Sequence, residues 1–111
     1  SNIDNLGLQE LLARGVKIID IRRQDEWDKT GLIEGSQRLT AFDASGKFDP
    51  SFIPKLAALA NPAEEVIFIC RVGNRSAVIA NFLTKQRGYE TVYNVSDGIE
   101  SWIKDGLPVV K

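Results

Sequence analysis

The sequence of 111 residues contains no histidine, no methionine and only one cysteine, Cys70. Without histidine, neither a Ser-His-Asp nor a Cys-His mechanism can operate within the chain, and most zinc and copper sites are excluded. One cysteine forms neither an internal disulfide nor a cysteine metal cluster, so the fold does not depend on an oxidising compartment. We therefore expect no bound metal and no cofactor.

The sequence also lacks a large net charge and long apolar runs. The formal net charge is −1 and no basic run is present, so nucleic acid is not an expected partner. No apolar stretch reaches the length of a membrane span. No signal peptide is recognisable, which favours the cytoplasm. Since the sequence begins with Ser1-Asn2 and not with Met, a periplasmic location after removal of a leader stays open.

Helical and strand patterns alternate along the chain. The composition, 43% hydrophobic and 26% charged, is typical of one globular domain over residues 1–111. Alternating elements with apolar strands predict an α/β fold, with a mostly parallel central sheet flanked by helices. The predicted helices are 5–15 with Asn5 as the cap, 22–29, 50–60, 76–87 and 98–104, and the predicted strands are 16–21, 36–40, 66–70 and 91–95.

Cys70 ends the most apolar of these strands, the position where parallel sheets bind ligands. A thiol reacts as the thiolate, which is favoured near cations and at helix N-termini. Gly73 and Asn74 tolerate left-handed backbone angles, so the chain can curl and direct its amides at an anion. A buried, inert cysteine is the alternative, but the flanking arginines favour a reactive one. The candidate nucleophile Cys70 is followed by a candidate binding loop of Arg71, Val72, Gly73, Asn74, Arg75 and Ser76.

This loop resembles the active-site loop of the rhodanese-type sulfurtransferases. Two further segments resemble motifs of that family, and the three together cover nearly the whole chain in the expected order. The resemblance implies a rhodanese-like three-layer domain. The further segments are IIDIRRQDEW, with Asp20, Arg22, Glu26 and Trp27, and GYETVYNVSDGIESWIKDGLPV, with Gly88, Tyr89, Gly98, Ile99, Trp102, Gly106 and Pro108.

The resemblance also implies a reaction. The thiolate of Cys70 would attack the outer sulfur of a donor such as thiosulfate, sulfite would leave, and cyanide or a thiol would take the sulfur from the resulting persulfide. The expected partners are thus a small sulfur donor and a thiol or cyanide acceptor, and a protein acceptor is also open.

The charged residues near the motifs receive roles from the same resemblance. The loop amides would hold the persulfide, and Arg71 would steer an anionic donor. Arg75 would share that task or brace the loop against an acid, for which Asp20 and Glu26 are both candidates. Asp20, Arg22 and Glu26 are therefore expected to be supporting residues.

The chain departs from the family pattern at two positions. Leu32 stands where many members carry a histidine, and Asp97 stands where a second glycine is common. The histidine is not a required base in the family, so we interpret Leu32 as a subfamily difference. Asp97 is expected to alter only a turn.

Phosphatases and arsenate reductases of the same fold are a rival interpretation. Their loops need one residue more between cysteine and arginine than the four that separate Cys70 from Arg75, to make room for a tetrahedral oxyanion. A persulfide carrier or interaction module without turnover is a second alternative, because a carrier also needs the cysteine.

Several residues also have plain structural interpretations. Arg22 and Glu26 are four residues apart, the spacing of an ion pair on one helix. Trp27 and Trp102 are expected to be packing anchors. Ser76 is expected to cap or begin its helix, with direct contact to bound sulfur as a further possibility.

Overall fold

The computed structural model describes all 111 residues as alternating strands and helices. The strands are β1 (Asn2–Ile3), β2 (Lys17–Asp20), β3 (Gln37–Arg38), β4 (Glu65–Ile69) and β5 (Thr91–Val95). The helices are α1 (Asn5–Ala13), α2 (Gln24–Thr30), α3 (Phe52–Leu59), α4 (Asn74–Gln86) and α5 (Gly98–Lys104).

One sheet runs through the molecule in the strand order β1-β5-β4-β2-β3, and every neighbouring pair is parallel. The predicted α/β fold is thereby confirmed. Because all strands point the same way, the chain leaves each of them at the same edge of the sheet. That edge carries the residues that follow β2, β4 and β5. None of the five helices is long and apolar enough to cross a membrane.

The central strand β4 shows why helices cover both faces of the sheet. Val66 and Phe68 point into a core shared with α3 and α4, whereas Ile67 and Ile69 point into a second core shared with α1 and α5. All four side chains are buried, as expected for a strand whose alternate residues face opposite apolar layers. Cys70 continues the alternation and joins the α3/α4 core.

Two predictions at the amino-terminal end were incomplete or wrong. The two-residue strand β1 was not predicted, because its pairing with β5 is the only feature that makes it a strand. Helix α1 is capped by Asp4, whose Oδ1 accepts a hydrogen bond from the Gly7 amide at 2.8 Å. Asn5, the predicted cap, is instead the first helical residue.

Helix α4 begins earlier than the predicted start at residue 76. Gly73 is its cap residue, with φ 97°, and Asn74 is its first helical residue. Ser76 therefore lies inside the first turn and does not cap the helix. This earlier start lets the first turn of α4 contact the cysteine directly.

Candidate functional site

Cys70 follows β4 directly and is only 1% exposed. Its Sγ accepts hydrogen bonds from the amide of Gly73 at 3.2 Å and from the amide of Ser76 at 3.4 Å. Two N–H groups that converge on one sulfur stabilise negative charge there, and the amino-terminal end of α4 adds its positive dipole end. The loop therefore favours an anionic sulfur without histidine.

The loop is held in this shape by the turn that follows β5. At Gly73, a Cβ atom would lie 2.1 Å from the carbonyl oxygen of Ser96. At Gly98, which has φ 64°, a Cβ atom would lie 2.3 Å from the carbonyl oxygen of Arg71. No side chain fits at either contact, so both glycines are required for the close approach of the two backbones.

Backbone hydrogen bonds also hold the cysteine loop against the start of α5. The amide of Ile99 donates to the Cys70 carbonyl at 2.9 Å, and the amide of Glu100 donates to the Arg71 carbonyl at 3.1 Å. Asp97, which precedes Gly98 and stands where a second glycine is common in the family, has φ −112°, a conformation that does not need glycine. The backbone at the start of α5 thus packs against the cysteine loop and supports its conformation.

Arg75 faces Glu26 and forms two hydrogen bonds with it, Nη1 to Oε1 at 2.8 Å and Nη2 to Oε2 at 2.7 Å. Burial raises the pKa of the Glu26 carboxyl, but the hydrogen bonds from Arg75 and from the Arg23 backbone, with both positive charges, outweigh burial and lower it. The hydrogen bonds to Glu26 raise the pKa of Arg75. Of the two candidate acids, Glu26 is the one bonded to Arg75.

Asp20 and Arg22 form a separate, fully buried ion pair, with Nη2 and Oδ2 2.9 Å apart. The guanidinium also donates to Thr30 Oγ1 at 2.9 Å and to the Gly31 carbonyl at 3.0 Å. These bonds fasten the end of α2 to the end of β2. The ion pair expected between Arg22 and Glu26 does not form, because Arg22 turns back into the protein towards Asp20.

Arg71 points outward and pairs with Glu100 of α5, with Nη1 and Oε2 2.6 Å apart. Both side chains are more than half exposed. The two border an open groove of about 430 Å³ between α2 and α5. Val72 is half-buried and borders a second groove along α5. The groove between α2 and α5 is lined by Arg22, Arg23, Asp25, Glu26, Lys29, Thr30, Arg71, Ile99, Glu100 and Ile103.

Two residues of the site were not predicted from the sequence. Glu100 partners Arg71, and Asn94 accepts a short hydrogen bond from the Ser76 hydroxyl. Asn94 is 4% exposed and lies in β5. The other four residues of β5 are β-branched or aromatic, so an asparagine among them is unusual, and that signal could have identified it. Nothing local in the sequence distinguishes Glu100 from the other exposed acids.

Comparison with known proteins gives a consistent result. The family model of the rhodanese-like domain matches residues 6–105. An uncharacterized protein of Rickettsia conorii is 30% identical over 99 residues, which cover 82% of this chain and 80% of that protein. Thiosulfate sulfurtransferase 18 of Arabidopsis thaliana is 26% identical over 113 residues, covering 97% of this chain and 82% of that protein.

A solved structure also superposes on nearly the whole chain. The crystal structure of Rv0390 from M. tuberculosis matches with a TM-score of 0.82 and 26% sequence identity. The match covers 96% of this chain and 94% of that one. The sheet and the helices on both of its faces are therefore those of a known architecture.

Proposed function

Because the chain belongs to the rhodanese-like domain family, we propose that it is a sulfurtransferase in which Cys70 carries sulfur as a persulfide. The observation that carries this proposal is the pair of amides, from Gly73 and Ser76, that donate to the Cys70 Sγ. A similar protein of Arabidopsis thaliana has the name thiosulfate sulfurtransferase 18. Thiosulfate is therefore the first donor to test.

The proposed reaction has two steps. The Cys70 thiolate attacks the outer sulfur of thiosulfate, the S–S bond of thiosulfate breaks, and sulfite leaves with the bonding electron pair. The persulfide that remains is an anion, which the loop amides stabilise. Cyanide or a thiolate then attacks the outer sulfur, and the Cys70 thiolate is regenerated.

The surrounding residues have distinct roles in this proposal. Arg71 is exposed on the groove between α2 and α5, where it attracts the anionic donor. Arg75 braces the loop through Glu26. Asp20 and Arg22 hold α2 in place and thereby position Glu26. Residues 1–111 act as one domain.

Phosphatase activity is less well supported. A phosphate-binding loop needs a guanidinium that is free to meet the phosphate oxygens. Both terminal nitrogens of Arg75 are bonded to Glu26 instead. The four residues between Cys70 and Arg75 also leave a smaller cup than a tetrahedral oxyanion requires.

Intact mass spectrometry tests the proposal. Wild-type protein and Cys70→Ser are incubated with thiosulfate and desalted. We expect a gain of one sulfur atom on the wild type only, and loss of that sulfur when cyanide is added. An unchanged wild-type mass, or an equal gain on Cys70→Ser, would contradict the proposal for this donor.

A second measurement separates an enzyme from a carrier. Continuous release of thiocyanate from thiosulfate and cyanide shows turnover. One sulfur loaded per chain, with release only to a protein thiol, would assign the carrier role instead.

A further inference from the structure

The hydroxyl of Ser76 has three possible acceptors for its only hydrogen: the Cys70 Sγ, the Asn94 Oδ1 and, at 3.4 Å, the carbonyl of Gly73. Its Oγ is 3.3 Å from the Cys70 Sγ, and on its other side it makes a short hydrogen bond to the Oδ1 of Asn94. A hydroxyl donates once, and an amide oxygen only accepts. The hydrogen that satisfies Asn94 is therefore not available to the sulfur.

The orientation of the Asn94 amide is determined by its other neighbours. Its Nδ2 donates to the carbonyl of Gly73 at 3.4 Å and to the Oδ1 of Asn2 at 3.1 Å. If the amide were turned over, its oxygen would face the Gly73 carbonyl, and two acceptors would meet in a buried site. The oxygen of Asn94 therefore points at Ser76.

With its hydrogen on Asn94, the Ser76 oxygen presents a lone pair to the sulfur. A thiol suits this arrangement, because its S–H can donate to Oγ. A thiolate does not, because two electron-rich atoms would then stand 3.3 Å apart. Rotation of the hydroxyl removes the conflict but leaves the buried Asn94 oxygen without its donor.

We propose that Asn94 is a positioning residue that controls the hydroxyl of Ser76 and, through it, the ionisation of Cys70. In the thiol state the hydrogen of Ser76 lies on Asn94. When the thiol proton leaves to water, the hydroxyl turns, and the sulfur then accepts from the amides of Gly73 and Ser76 and from the Ser76 hydroxyl. The catalytic meaning of this switch rests on the proposed role of Cys70 as a sulfur-accepting thiolate.

Alkylation of Cys70 by iodoacetamide tests the proposal, because the chain has no other cysteine. Asn94→Ala removes the acceptor that holds the hydroxyl hydrogen and leaves only the longer contact to the Gly73 carbonyl in competition with the sulfur. We therefore expect the rate–pH profile to move to lower pH and the neutral-pH rate to rise about two- to tenfold. Ser76→Ala removes the donor that stabilises the thiolate, so the profile should move to higher pH. Ser76→Thr keeps a hydroxyl and should retain the sensitivity to Asn94.

The double variant provides the decisive comparison. In the Ser76→Ala background, Asn94→Ala should shift the alkylation profile far less than in the wild-type background, because only the hydrogen bond to the Gly73 carbonyl then connects Asn94 to the cysteine loop. An equal shift in both backgrounds would show that Asn94 acts through packing, and a shift to higher pH in Asn94→Ala alone would reverse the proposed sign. Either result would overturn the inference. Asn94→Val, which suits a strand better, takes the place of Asn94→Ala if that variant does not fold.

These variants leave the surrounding charges unchanged. The alkylation assay also needs no sulfur donor, so it is independent of the persulfide experiment. Coupling between Ser76 and Asn94 without sulfur loading would contradict the proposed function alone, and loading without coupling would contradict this inference alone.

The charged groups around the cysteine loop are Arg71 of the loop, Arg75 of α4, Glu26 of α2, Glu100 of α5 and the pair Asp20 and Arg22 at the end of β2.

Discussion

Arg75 and Glu26 join α4 to α2 by a two-point salt bridge, with nitrogen–oxygen distances of 2.8 and 2.7 Å. Arg75 is the second residue of the helix that begins at the cysteine loop, and Glu26 lies in the helix that follows β2. The Glu26 side chain is 13% exposed, so solvent screens the pair only in part. The bridge therefore restrains the loop as well as the fold.

Replacing Glu26 by glutamine should destabilise the protein. Glutamine keeps the shape but loses the charge that both Arg75 nitrogens use. We expect the free energy of unfolding to fall by about 1–2 kcal/mol, measured by urea denaturation. Asp25→Asn, on the same helix with a side chain 70% exposed, is the control and should have the smaller effect. Equal effects would show that the bridge contributes no more than a surface charge.

The same carboxylate makes stability depend on pH in the acid range. Since the folded state lowers the pKa of Glu26, its contribution is complete above the unfolded pKa of about 4.3 and is lost as pH falls through the lower folded pKa. Between about pH 5 and pH 3, wild type should lose more stability than Glu26→Gln. Parallel stability curves for the two proteins would contradict this assignment.

Gly98→Ala should disable the cysteine loop. The added methyl group would meet the Arg71 carbonyl at 2.3 Å, and the backbone there has φ 64°. We expect sulfur loading from thiosulfate to fall strongly, as read by intact mass. Gly106→Ala is the matched control, because Gly106 has φ 74° but nothing within 4 Å of a Cβ atom.

Both alanine variants adopt an unfavourable left-handed conformation, which costs on the order of 1 kcal/mol. Only Gly98→Ala also displaces the loop. If the two variants lost sulfur loading equally, backbone strain alone would account for the effect, and the contact with Arg71 would have no special role.

Glu100→Gln should improve the use of an anionic donor. Glu100 partly neutralises Arg71, and its loss frees that cation for thiosulfate. We expect the KM for thiosulfate to fall by about two- to fivefold, which is the range of an exposed ion pair. Arg71→Ala should raise this KM, and added salt should reduce both effects.

The control for this prediction makes the same charge change elsewhere. Glu90 is exposed and precedes β5 at the opposite edge of the sheet, so Glu90→Gln should leave the KM nearly unchanged. An equal fall in KM for both variants would assign the effect to net charge and not to Arg71.

The family and the α/β fold could both be predicted from the sequence, and both are confirmed. Apolar runs, helical spacing and turn residues are local signals, and they were sufficient for β4, β5 and α5. The strand β1 escaped prediction because two residues carry no pattern of their own and depend on β5 for their pairing. The start of α4 was misplaced because its cap is Gly73, which has no side chain to signal a cap.

The sequence by itself determined that a lone thiol follows a buried strand in a glycine- and arginine-containing loop, because these features are adjacent in the chain. The tertiary structure decided which charges meet. Arg75 pairs with Glu26 and Arg71 pairs with Glu100 because the sheet order and the parallel strands bring distant segments to one edge. Arg22 pairs with Asp20, which is only two residues away, because its side chain is buried beside that carboxylate. The contact of Asn94 with Ser76 was decided in the same way, because β5 lies beside β4 and under the first turn of α4.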